Sequence, residues 1–453
     1  MNFSPQMLES VGLALAELGT PRVEFSVVYP QRGGRLQDLR SVMSAIHDSF
    51  EDVTTIVQCR AFKEDLDLAQ AMDSKGCGAY IAISEEHRKH KLHGMKVDEV
   101  IERLVNSLDI LKEYGFNYRR AVLEDASRFF SLYKGEEDTL ENFERIVRSV
   151  DEAGATTISI PDTAGLLELS QAIEMFEFAG KITDKELAAH FHNDYGNALG
   201  NTLAVVSRGL AKEAHVSIYG LGSAVGIADH YEVSANLIDN LKIDTGENRN
   251  YLMKLYTTFQ DVTKISIPWN HPLSDFARIQ KAGTHQAQQL ASPRGYVPPK
   301  KLEHDFDNKI FFQASHLMST HLVSKLLEGY DLGEDAAREV TTVMAKRSAL
   351  LHRKLSYKEI QSIVKGITGL ELPHTKISQY INPQKAFYLL KVTPRVTTEI
   401  TEKIEALSGV ERALETFGVY DIIVEANAND DIRRRLEKLL GPDMIAISPL
   451  IVG

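Results

Sequence analysis

The chain has 453 residues, of which 43% are hydrophobic and 25% are charged, and these ordinary values exclude a disordered chain, a collagen and a disulfide-rich scaffold. The formal net charge of −12 argues against a nucleic-acid partner, and no apolar run approaches the ~20 residues of a membrane helix. With two cysteines and no basic, apolar leader at its N-terminus, the sequence predicts a cytoplasmic protein without a membrane partner.

Residues 1–240 alternate between short β-branched apolar segments and amphipathic helical patterns. The predicted strands are Arg22–Val28, Val53–Arg60, Ala79–Ser84, Tyr118–Asp125, Thr156–Asp162, Ala188–Asp194 and Ala214–Leu221. The predicted helices include Leu8–Leu18, Leu66–Met72, Val97–Tyr114, Leu140–Ala153, Ser170–Ala179 and Ala198–Gly209. This alternation is typical of parallel strands joined by helical crossovers and predicts an α/β domain.

Seven strands are predicted in this domain, and a helix precedes the first of them. A (β/α)8 barrel has eight strands and begins with a strand, so the pattern fits a TIM barrel whose first strand is missing. An open doubly wound sheet tolerates any number of strands. The strand count alone leaves both architectures open.

The character of the chain then changes twice. Residues 241–384 lose the strand signal and predict a helical accessory region, with a Pro- and Gly-rich loop at 291–301. Residues 385–453 follow a βαββαβ order, which predicts a ferredoxin-like domain with Gly418 and Asp421 in the turn between its central strands. The open sheet edges of so small a domain favour pairing with a second copy, so we expect a homo-oligomer.

The strongest local signal is the pair His190 and His192, two residues apart near the end of a predicted strand. Their side chains therefore point to the same side, at the strand end where a barrel keeps its active site. Two imidazoles with carboxylates nearby suit a divalent ion such as Mn, Co or Zn. The alternative is a pair of structural histidines in a polar rim.

Two other predicted strands also end in polar residues, Glu124 with Asp125 and Asp162 with Thr163. Arg120 lies at the start of the first of these strands, and a planar guanidinium next to a threonine hydroxyl suits a carboxylate.

Two further features carry basic or titratable groups. The segment 84–93 has three histidines and three basic residues, which could hold phosphates or carboxylates or could form a solvated helix face. His285 is a candidate acid–base group, although a lone histidine is more often structural.

Several of these segments match known motifs. His190–Gly196 resembles HxHNDxG, Ser159–Gly165 resembles (S/A)-I-(A/P)-D-T-x-G, and Arg120–Arg128 resembles R-F-S-x-E-D-x-x-R. Gly220–Ile227 resembles G-(L/I)-G-E-R-x-G-(I/N), and Lys281–His285 is similar to H-K-(A/S)-G-(V/I)-H. Together they resemble the Claisen-condensing barrel enzymes, which include homocitrate synthase, 2-isopropylmalate synthase, citramalate synthase and related lyases. The C-terminal unit resembles the amino-acid-sensing regulatory domain of archaeal homocitrate synthases.

The resemblance implies an acyltransferase of lysine or leucine biosynthesis that condenses acetyl-CoA with a 2-oxo acid, with 2-oxoglutarate favoured. It implies that His190 and His192 bind Mn, Mg, Co or Zn, and that Glu124 and His285 are catalytic. His285 would reach in from a neighbouring subunit, and Tyr296 would assist it. Arg120 and Thr163 would hold substrate carboxylates, and Glu24 and His87 would complete the substrate site. Gly418 and Asp421 would bind an amino-acid effector such as lysine or leucine.

The chain also departs from the family pattern. The family's first strand carries L-R-(D/E)-G-E-Q, which supplies an arginine and a third metal ligand, and this chain has no such motif. Val122 and Leu123 replace two small polar residues, and Ser223 and Ala224 replace a Glu-Arg pair. Either the start is assigned to an internal methionine, or the chain is a degenerate paralogue.

Two alternative functions follow from these departures. One is a catalytically deficient regulatory paralogue or subunit that senses an amino acid through its C-terminal domain. The other is a lyase that runs the chemistry backwards. The sensor-like domain argues against the lyase, because feedback control suits a committed biosynthetic step.

Overall fold

Seven parallel strands form the main sheet in a computed structural model, which describes residues 3–382, 385–393, 397–407, 410–416, 418–427 and 430–451. The strands are β1 (Arg22–Ser26), β2 (Thr54–Arg60), β3 (Gly76–Ala82), β4 (Tyr118–Glu124), β5 (Thr157–Ser159), β6 (Glu186–Ala189) and β7 (Glu213–Ala214). Each strand pairs in parallel with the next one along the chain. A doubly wound sheet would reverse this order at a switch point, so the consecutive order is that of a TIM-type barrel and confirms that prediction.

Ten helices of the described chain accompany this sheet. They are α1 (Pro5–Leu18), α2 (Leu36–Ser49), α3 (Lys63–Ala71), α4 (Glu85–His90), α5 (Val97–Glu113), α6 (Leu140–Glu152), α7 (Leu169–Gly180), α8 (Ala198–Ser207), α9 (His230–Ala235) and α10 (Leu252–Thr263). Helix α6 shows why they form, because it buries Phe143, Ile146, Val147 and Val150 on one face. That spacing of three and four residues is the apolar stripe of a helix packed on a sheet.

The central strands are buried on both faces, as parallel strands covered by helices must be. In β3 every residue except Tyr80 is buried. Gly78 in this strand faces the guanidinium of Arg120, and a Cβ at Gly78 would lie 3.1 Å from both Nε and Nη2. The glycine therefore makes room for a charged side chain that is only 1% exposed.

Several strand ends differ from the sequence prediction, and the differences at β6 and β7 concern residues around the predicted histidine pair. Strand β6 ends at Ala189, and His190 and His192 follow in a segment held by single bridges from Phe191 to Asp162 and from His192 to Ile227. Strand β7 has two residues, and a 3-10 turn follows it in which Tyr219 has a φ of 57°. A left-handed residue cannot continue a strand, so the predicted Ala214–Leu221 strand is wrong beyond its first residue.

The chain divides into two compact units between Ser274 and Asp275. This division lies later than the boundary at residue 240 that the strand signal predicts. Helix α10 belongs to the first unit, where Leu252 and Leu255 pack in one apolar cluster with Ala14 and Leu18 of α1.

The second unit begins with a helical part. Its helices are α11 (Gly283–Ala291), α12 (Pro299–His304), α13 (Thr320–Leu327), α14 (Glu334–Leu351), α15 (Tyr357–Thr368) and α16 (His374–Ser378), and a short parallel pair joins β8 (Ile279–Gln280) to β9 (Phe311–Phe312). These helices share an apolar core of their own.

An antiparallel domain completes the second unit. It contains β10 (Lys385–Val392), α17 (Thr397–Glu405), β11 (Val410–Glu415), β12 (Ile422–Asn427), α18 (Asp430–Leu440) and β13 (Met444–Ile451). The strands lie in the order β11-β12-β10-β13. This order and the βαββαβ succession confirm the predicted ferredoxin-like domain. Among the described residues, no helix is both long and apolar enough to span a bilayer.

Candidate active site

A small cavity lined mainly by polar residue types lies where the carboxyl ends of β2 to β7 meet. Its volume is about 120 Å³, and it is lined by Gln58, Tyr80, Val122, Glu124, Ser159, Pro161, Thr163, His190, His192 and His215. Residues at the ends of several strands therefore converge on one space, which is where barrel enzymes place their chemistry.

The two histidines of the HxH segment face each other at this cavity. Nε2 of His190 lies 3.3 Å from Nε2 of His192. Burial, together with the charges of His215, His192 and Arg120, lowers the pKa of His190 well below its ordinary value. A neutral imidazole is the form that binds a metal ion, so the pair that the sequence singles out is brought together in a suitable state.

The pair fits two neighbouring ligand positions of one divalent ion. Within the described residues, no group of three His, Cys, Asp or Glu side chains is arranged to hold a metal. An ion bound by His190 and His192 would therefore take its remaining ligands from water or a substrate oxygen, as open catalytic sites do. Imidazole ligands suit Mn, Co or Zn, and they do not distinguish between these ions.

Behind His190 lies a buried hydrogen-bonded group that the motifs do not contain. Nδ1 of His190 is 3.2 Å from Nδ1 of His215, and Nε2 of His215 is 2.8 Å from Oε1 of Glu213. Glu213 also accepts hydrogen bonds from the Tyr118 hydroxyl at 2.9 Å and from Arg120 Nη1 at 3.0 Å. The Glu213 carboxylate is thus linked to His190, a candidate metal ligand, through the imidazole of His215.

Arg120, the predicted carboxylate receptor, lies inside the barrel and is not one of the cavity-lining residues. Its Nη2 donates to Glu24 and, at 2.7 Å, to Gln58 Oε1, while its Nη1 donates to Glu213. Glu24, predicted as part of the substrate site, is thus a partner of this guanidinium. A substrate carboxylate could bind Arg120 only in exchange for one of these internal partners.

Glu124 and Thr163 line the cavity, and each has a partner in the protein. Lys91 donates to both carboxylate oxygens of Glu124, at 2.5 and 2.7 Å. The hydroxyl of Thr163 accepts a hydrogen bond from the backbone N–H of Asp125 at 2.9 Å. Nε2 of His87, predicted as a substrate ligand, lies 3.7 Å from a carboxylate oxygen of Asp125. The predicted acidic and hydroxyl groups therefore reach the cavity, with basic groups of the 84–93 segment beside them.

The cavity wall carries one hydroxyl that lacks a partner. Ser159 is fully buried, and its Oγ has no hydrogen bond to any described residue. Val122 and Pro161 line the same space. Since an unpaired buried hydroxyl is costly, Ser159 is available to a polar group of a ligand.

The remaining predicted site residues lie in the second unit. The rings of His285 and Tyr296 are in contact, with centroids 4.1 Å apart and planes tilted by 30°, so the predicted assistant does contact His285. Asp421 accepts a hydrogen bond from the backbone N–H of Val392 at 2.9 Å, and Gly418 is exposed beside it in the same turn. The Asp421 side chain is therefore hydrogen-bonded to the backbone of β10 in its own sheet.

Comparison with known proteins decides the family. The model of the HMGL-like family matches residues 2–259, which is more than half of the chain. The chain belongs to the HMGL-like family. The family resemblance that the sequence motifs indicate is thereby confirmed.

Two relatives of this HMGL-like protein are similar to it over most of its length. The homocitrate synthase of Sulfolobus acidocaldarius is 26% identical, over 93% of this chain and 85% of its own. Homocitrate synthase AksA of Methanopyrus kandleri is 28% identical, over 81% of this chain and 88% of its own. In fold, the chain is similar to the HMG-CoA lyase of Bacillus subtilis, with a TM-score of 0.51 at 20% identity, over 59% of this chain and 90% of that one.

Four residues of the HMGL-like site escape the motif analysis: Gln58, Tyr80, Glu213 and His215. Glu213 and His215 are two residues apart, on and just after β7, and so repeat the spacing of His190 and His192, which directly follow the neighbouring strand β6. Polar residues at alternate positions of a barrel strand are the signal that could have found them.

Proposed function

We propose that this HMGL-like protein is an acyltransferase that joins the acetyl group of acetyl-CoA to a 2-oxo acid. The observation that carries the proposal is the convergence of His190 Nε2 and His192 Nε2, 3.3 Å apart, on a cavity of about 120 Å³. The homocitrate synthase relatives support 2-oxoglutarate as the first candidate substrate. The 2-oxo acid of a 2-isopropylmalate synthase is the second candidate.

The proposed reaction has two steps. The methyl group of acetyl-CoA loses a proton to a base and forms a carbon–carbon bond to the keto carbon, whose oxygen gains a proton and becomes a hydroxyl. Water then cleaves the thioester to a carboxylate and free CoA, which makes the sequence irreversible. Such a reaction would serve a committed step of amino-acid biosynthesis in the cytoplasm.

Different residues of this chain are assigned to metal binding, substrate binding and charge balance. A divalent ion held by His190 and His192 would supply polarisation of the keto carbonyl. Thr163 and Ser159 offer hydroxyls to the substrate, and we assign the substrate carboxylate to Thr163. Arg120 would join this contact only where the carboxylate replaces Glu24 or Gln58 as a partner of its Nη2. Glu124 lines the cavity, and its negative charge is balanced by Lys91, which donates a hydrogen bond to it.

The proton transfer is assigned to the second unit. His285, in ring contact with Tyr296, is the proposed acid–base group, reaching the cavity of a neighbouring subunit in a homodimer. The ring contact with Tyr296 favours one orientation of the imidazole, which helps a general base before the substrate arrives.

Release of free thiol from acetyl-CoA tests the proposal. The native chain with Mn²⁺ or Mg²⁺ is expected to release CoA with one of 2-oxoglutarate, 2-oxoisovalerate and pyruvate. His192→Ala removes a proposed ligand and is expected to slow release by at least ~100-fold, because several kcal/mol of stabilisation depend on the ion.

His316→Ala is the matched control, since His316 is exposed and lies in the second unit. Its rate should equal that of the native chain. Failure of all three 2-oxo acids to release CoA from the native chain contradicts the proposed function.

A regulatory subunit is the second candidate. It is favoured by one observation, that the described residues bring no third His, Cys, Asp or Glu ligand to the histidine pair. In this case the barrel would assemble with a complete relative, and the ferredoxin-like domain would sense an amino acid. Co-purification with such a relative, without turnover by the chain itself, would support this function, and turnover by the isolated chain would exclude it.

A further inference from the structure

One wall of the cavity carries a negative charge. Among the described residues that line the cavity, Glu124 is the only Asp, Glu, Lys or Arg. It ends β4, and Val122 of the same strand lines the cavity beside it. The histidine pair follows β6, which lies two strands away in the sheet, or about 10 Å along it. The wall on the β4 side therefore combines a carboxylate with an apolar side chain.

The basic groups nearest to this wall already have partners. Lys91 donates to both carboxylate oxygens of Glu124, at 2.5 and 2.7 Å, and does not itself line the cavity. Arg120 uses both of its Nη atoms on internal partners, and its Nε lies against Gly78. The pair of Lys91 and Glu124 thus offers no net charge to a ligand, and the member of the pair that reaches the cavity is the negative one.

This wall can distinguish the far ends of two 2-oxo acids of equal length. A five-carbon acid is about 5 Å long from its first to its last carbon, so in a cavity of about 120 Å³ its far end contacts the wall. An uncharged end can pack against Val122 and Pro161, which both line the cavity. A carboxylate at that end would instead be brought close to the Glu124 carboxylate, and a charge that leaves water without an opposite partner is strongly disfavoured.

We propose that Glu124, through its pair with Lys91, is a specificity-determining residue that selects a 2-oxo acid with an uncharged, apolar side chain and rejects a dicarboxylic one. This inference rests on the proposed condensation of a 2-oxo acid in this cavity. It departs from 2-oxoglutarate, the candidate that the homocitrate synthase relatives support, and favours the second candidate class.

Binding of two matched acids to the native chain tests the inference. 2-Oxoglutarate and 2-oxopentanoate have the same five-carbon chain and differ only in a terminal carboxylate or methyl group. Calorimetric titration with Mn²⁺ present and without acetyl-CoA measures the Kd of each acid separately from any catalytic role of Glu124. We expect 2-oxopentanoate to bind at least about 10-fold more tightly, because rejection by an unpaired charge is an effective source of specificity.

Glu124→Gln should reverse this selection. The variant keeps the shape of the side chain, removes the negative charge and releases Lys91, so the affinity for 2-oxoglutarate should rise by about 10-fold, whereas that for 2-oxopentanoate should stay within about threefold. The double variant Glu124→Gln/Lys91→Met should lose the gain, because the released cation is then absent. The matched control is Glu137→Gln, since Glu137 accepts a hydrogen bond from Arg88 Nη2 at 2.8 Å, in the same 84–93 segment, but does not line the cavity. Both affinities of the control should equal those of the native chain.

The outcomes separate this inference from the proposed function. Tighter binding of 2-oxoglutarate than of 2-oxopentanoate by the native chain overturns the inference and leaves the condensation standing. A gain that is absent in Glu124→Gln, or that survives in the double variant, overturns the assigned role of the Glu124–Lys91 pair. Binding of neither acid by the native chain contradicts the proposed function and this inference together. The native comparison requires no substitution, so it decides the point even where a variant fails to fold.

Discussion

Glu213 shows how a buried charge can be maintained beside the cavity at the strand ends. It lies within hydrogen-bond or ion-pair distance of four donors, on Tyr118, Arg120, His215 and Arg22. Burial works against the charged form, but the hydrogen bond and charge of His215 and the charges of Arg120 and Arg22 prevail and lower the pKa of Glu213 to about 2. The carboxylate therefore contributes to stability as well as to the orientation of His215.

Glu213→Gln tests that contribution through its pH dependence. The folded pKa is below the unfolded value, so the charge stabilises the fold fully above about pH 4.5, and this stabilisation is lost as the pH falls towards 2. At neutral pH the variant should lose about 2–3 kcal/mol of unfolding free energy, because it also leaves Arg22 and Arg120 partly uncompensated. The difference from native protein should shrink in acid, where both side chains are neutral.

Denaturant unfolding at several pH values provides the measurement. Glu177→Gln is the control, since Glu177 is exposed on α7 and its replacement should change the free energy by less than about 0.5 kcal/mol. A stability difference for Glu213→Gln that is independent of pH would show that the lost contacts, and not the charge, were responsible.

At the scale of the elements, β3 and β4 are packed to fit Arg120. The two strands pair in parallel with Gly78 opposite Arg120, and a Cβ at Gly78 would lie 3.1 Å from Nε and Nη2 of the guanidinium. Arg120 is fixed by its bonds to Glu24, Gln58 and Glu213 and cannot easily give way.

Gly78→Ala should therefore destabilise the protein by about 1–3 kcal/mol, the usual cost of overpacking a core. Gly200→Ala is the matched comparison, because Gly200 lies inside α8 with open space around its Cβ position. That change should stabilise the protein by about 0.5–1 kcal/mol. Thermal or chemical unfolding of the two variants measures both values, and equal effects of the two changes would contradict the packing argument.

The elements could be predicted from local pattern, and the strand ends could not. Helix α5 is predicted as Val97–Tyr114 and observed as Val97–Glu113, because its apolar repeat is contained in its own sequence. The end of β6 depends instead on bridges to Asp162 and Ile227, which are remote along the chain.

The same distinction applies to the site. Spacing predicts that His190 and His192 share a side, whereas the contact of His190 with His215 depends on how neighbouring strands are aligned in the barrel. Arg120 was recognisable as a charged group at the site, but its internal partners were not, since Glu24 and Glu213 come from strands at opposite edges of the sheet. Such contacts follow from tertiary structure alone.

At the scale of the whole first unit, Arg120 connects the two edges of the described sheet. It extends from the central strand β4 to Glu24 on β1 and to Glu213 on β7, and Arg22 on β1 lies 3.4 Å from Glu213. The two arginines and two glutamates balance in charge, so the buried pair, Arg120 and Glu213, is compensated, as buried ions must be. The edges of a seven-stranded sheet are thus joined by side chains next to the cavity that they support.

The second unit supplies the last prediction, which concerns regulation. If the ferredoxin-like domain senses an amino acid through Gly418 and Asp421, Asp421→Ala should abolish inhibition by that effector, because a carboxylate can pair with the ammonium group of an amino acid. Lysine and leucine are the effectors to test, by thiol release normalised to the uninhibited rate of each variant. Asp421→Ala also removes a hydrogen bond to Val392 N–H, so a structural loss must be distinguished from loss of the binding site.

Asp443→Ala makes that distinction. Asp443 lies in the same domain and accepts a hydrogen bond of similar length, 2.8 Å, from the Thr393 hydroxyl, but it has no proposed role in binding. Inhibition should persist in Asp443→Ala and disappear in Asp421→Ala. Loss of inhibition in both variants would assign the effect to weakening of the domain, and persistence in both would place the effector elsewhere. Only the first pattern makes the turn between β11 and β12 the point where an amino acid controls the chemistry of the barrel.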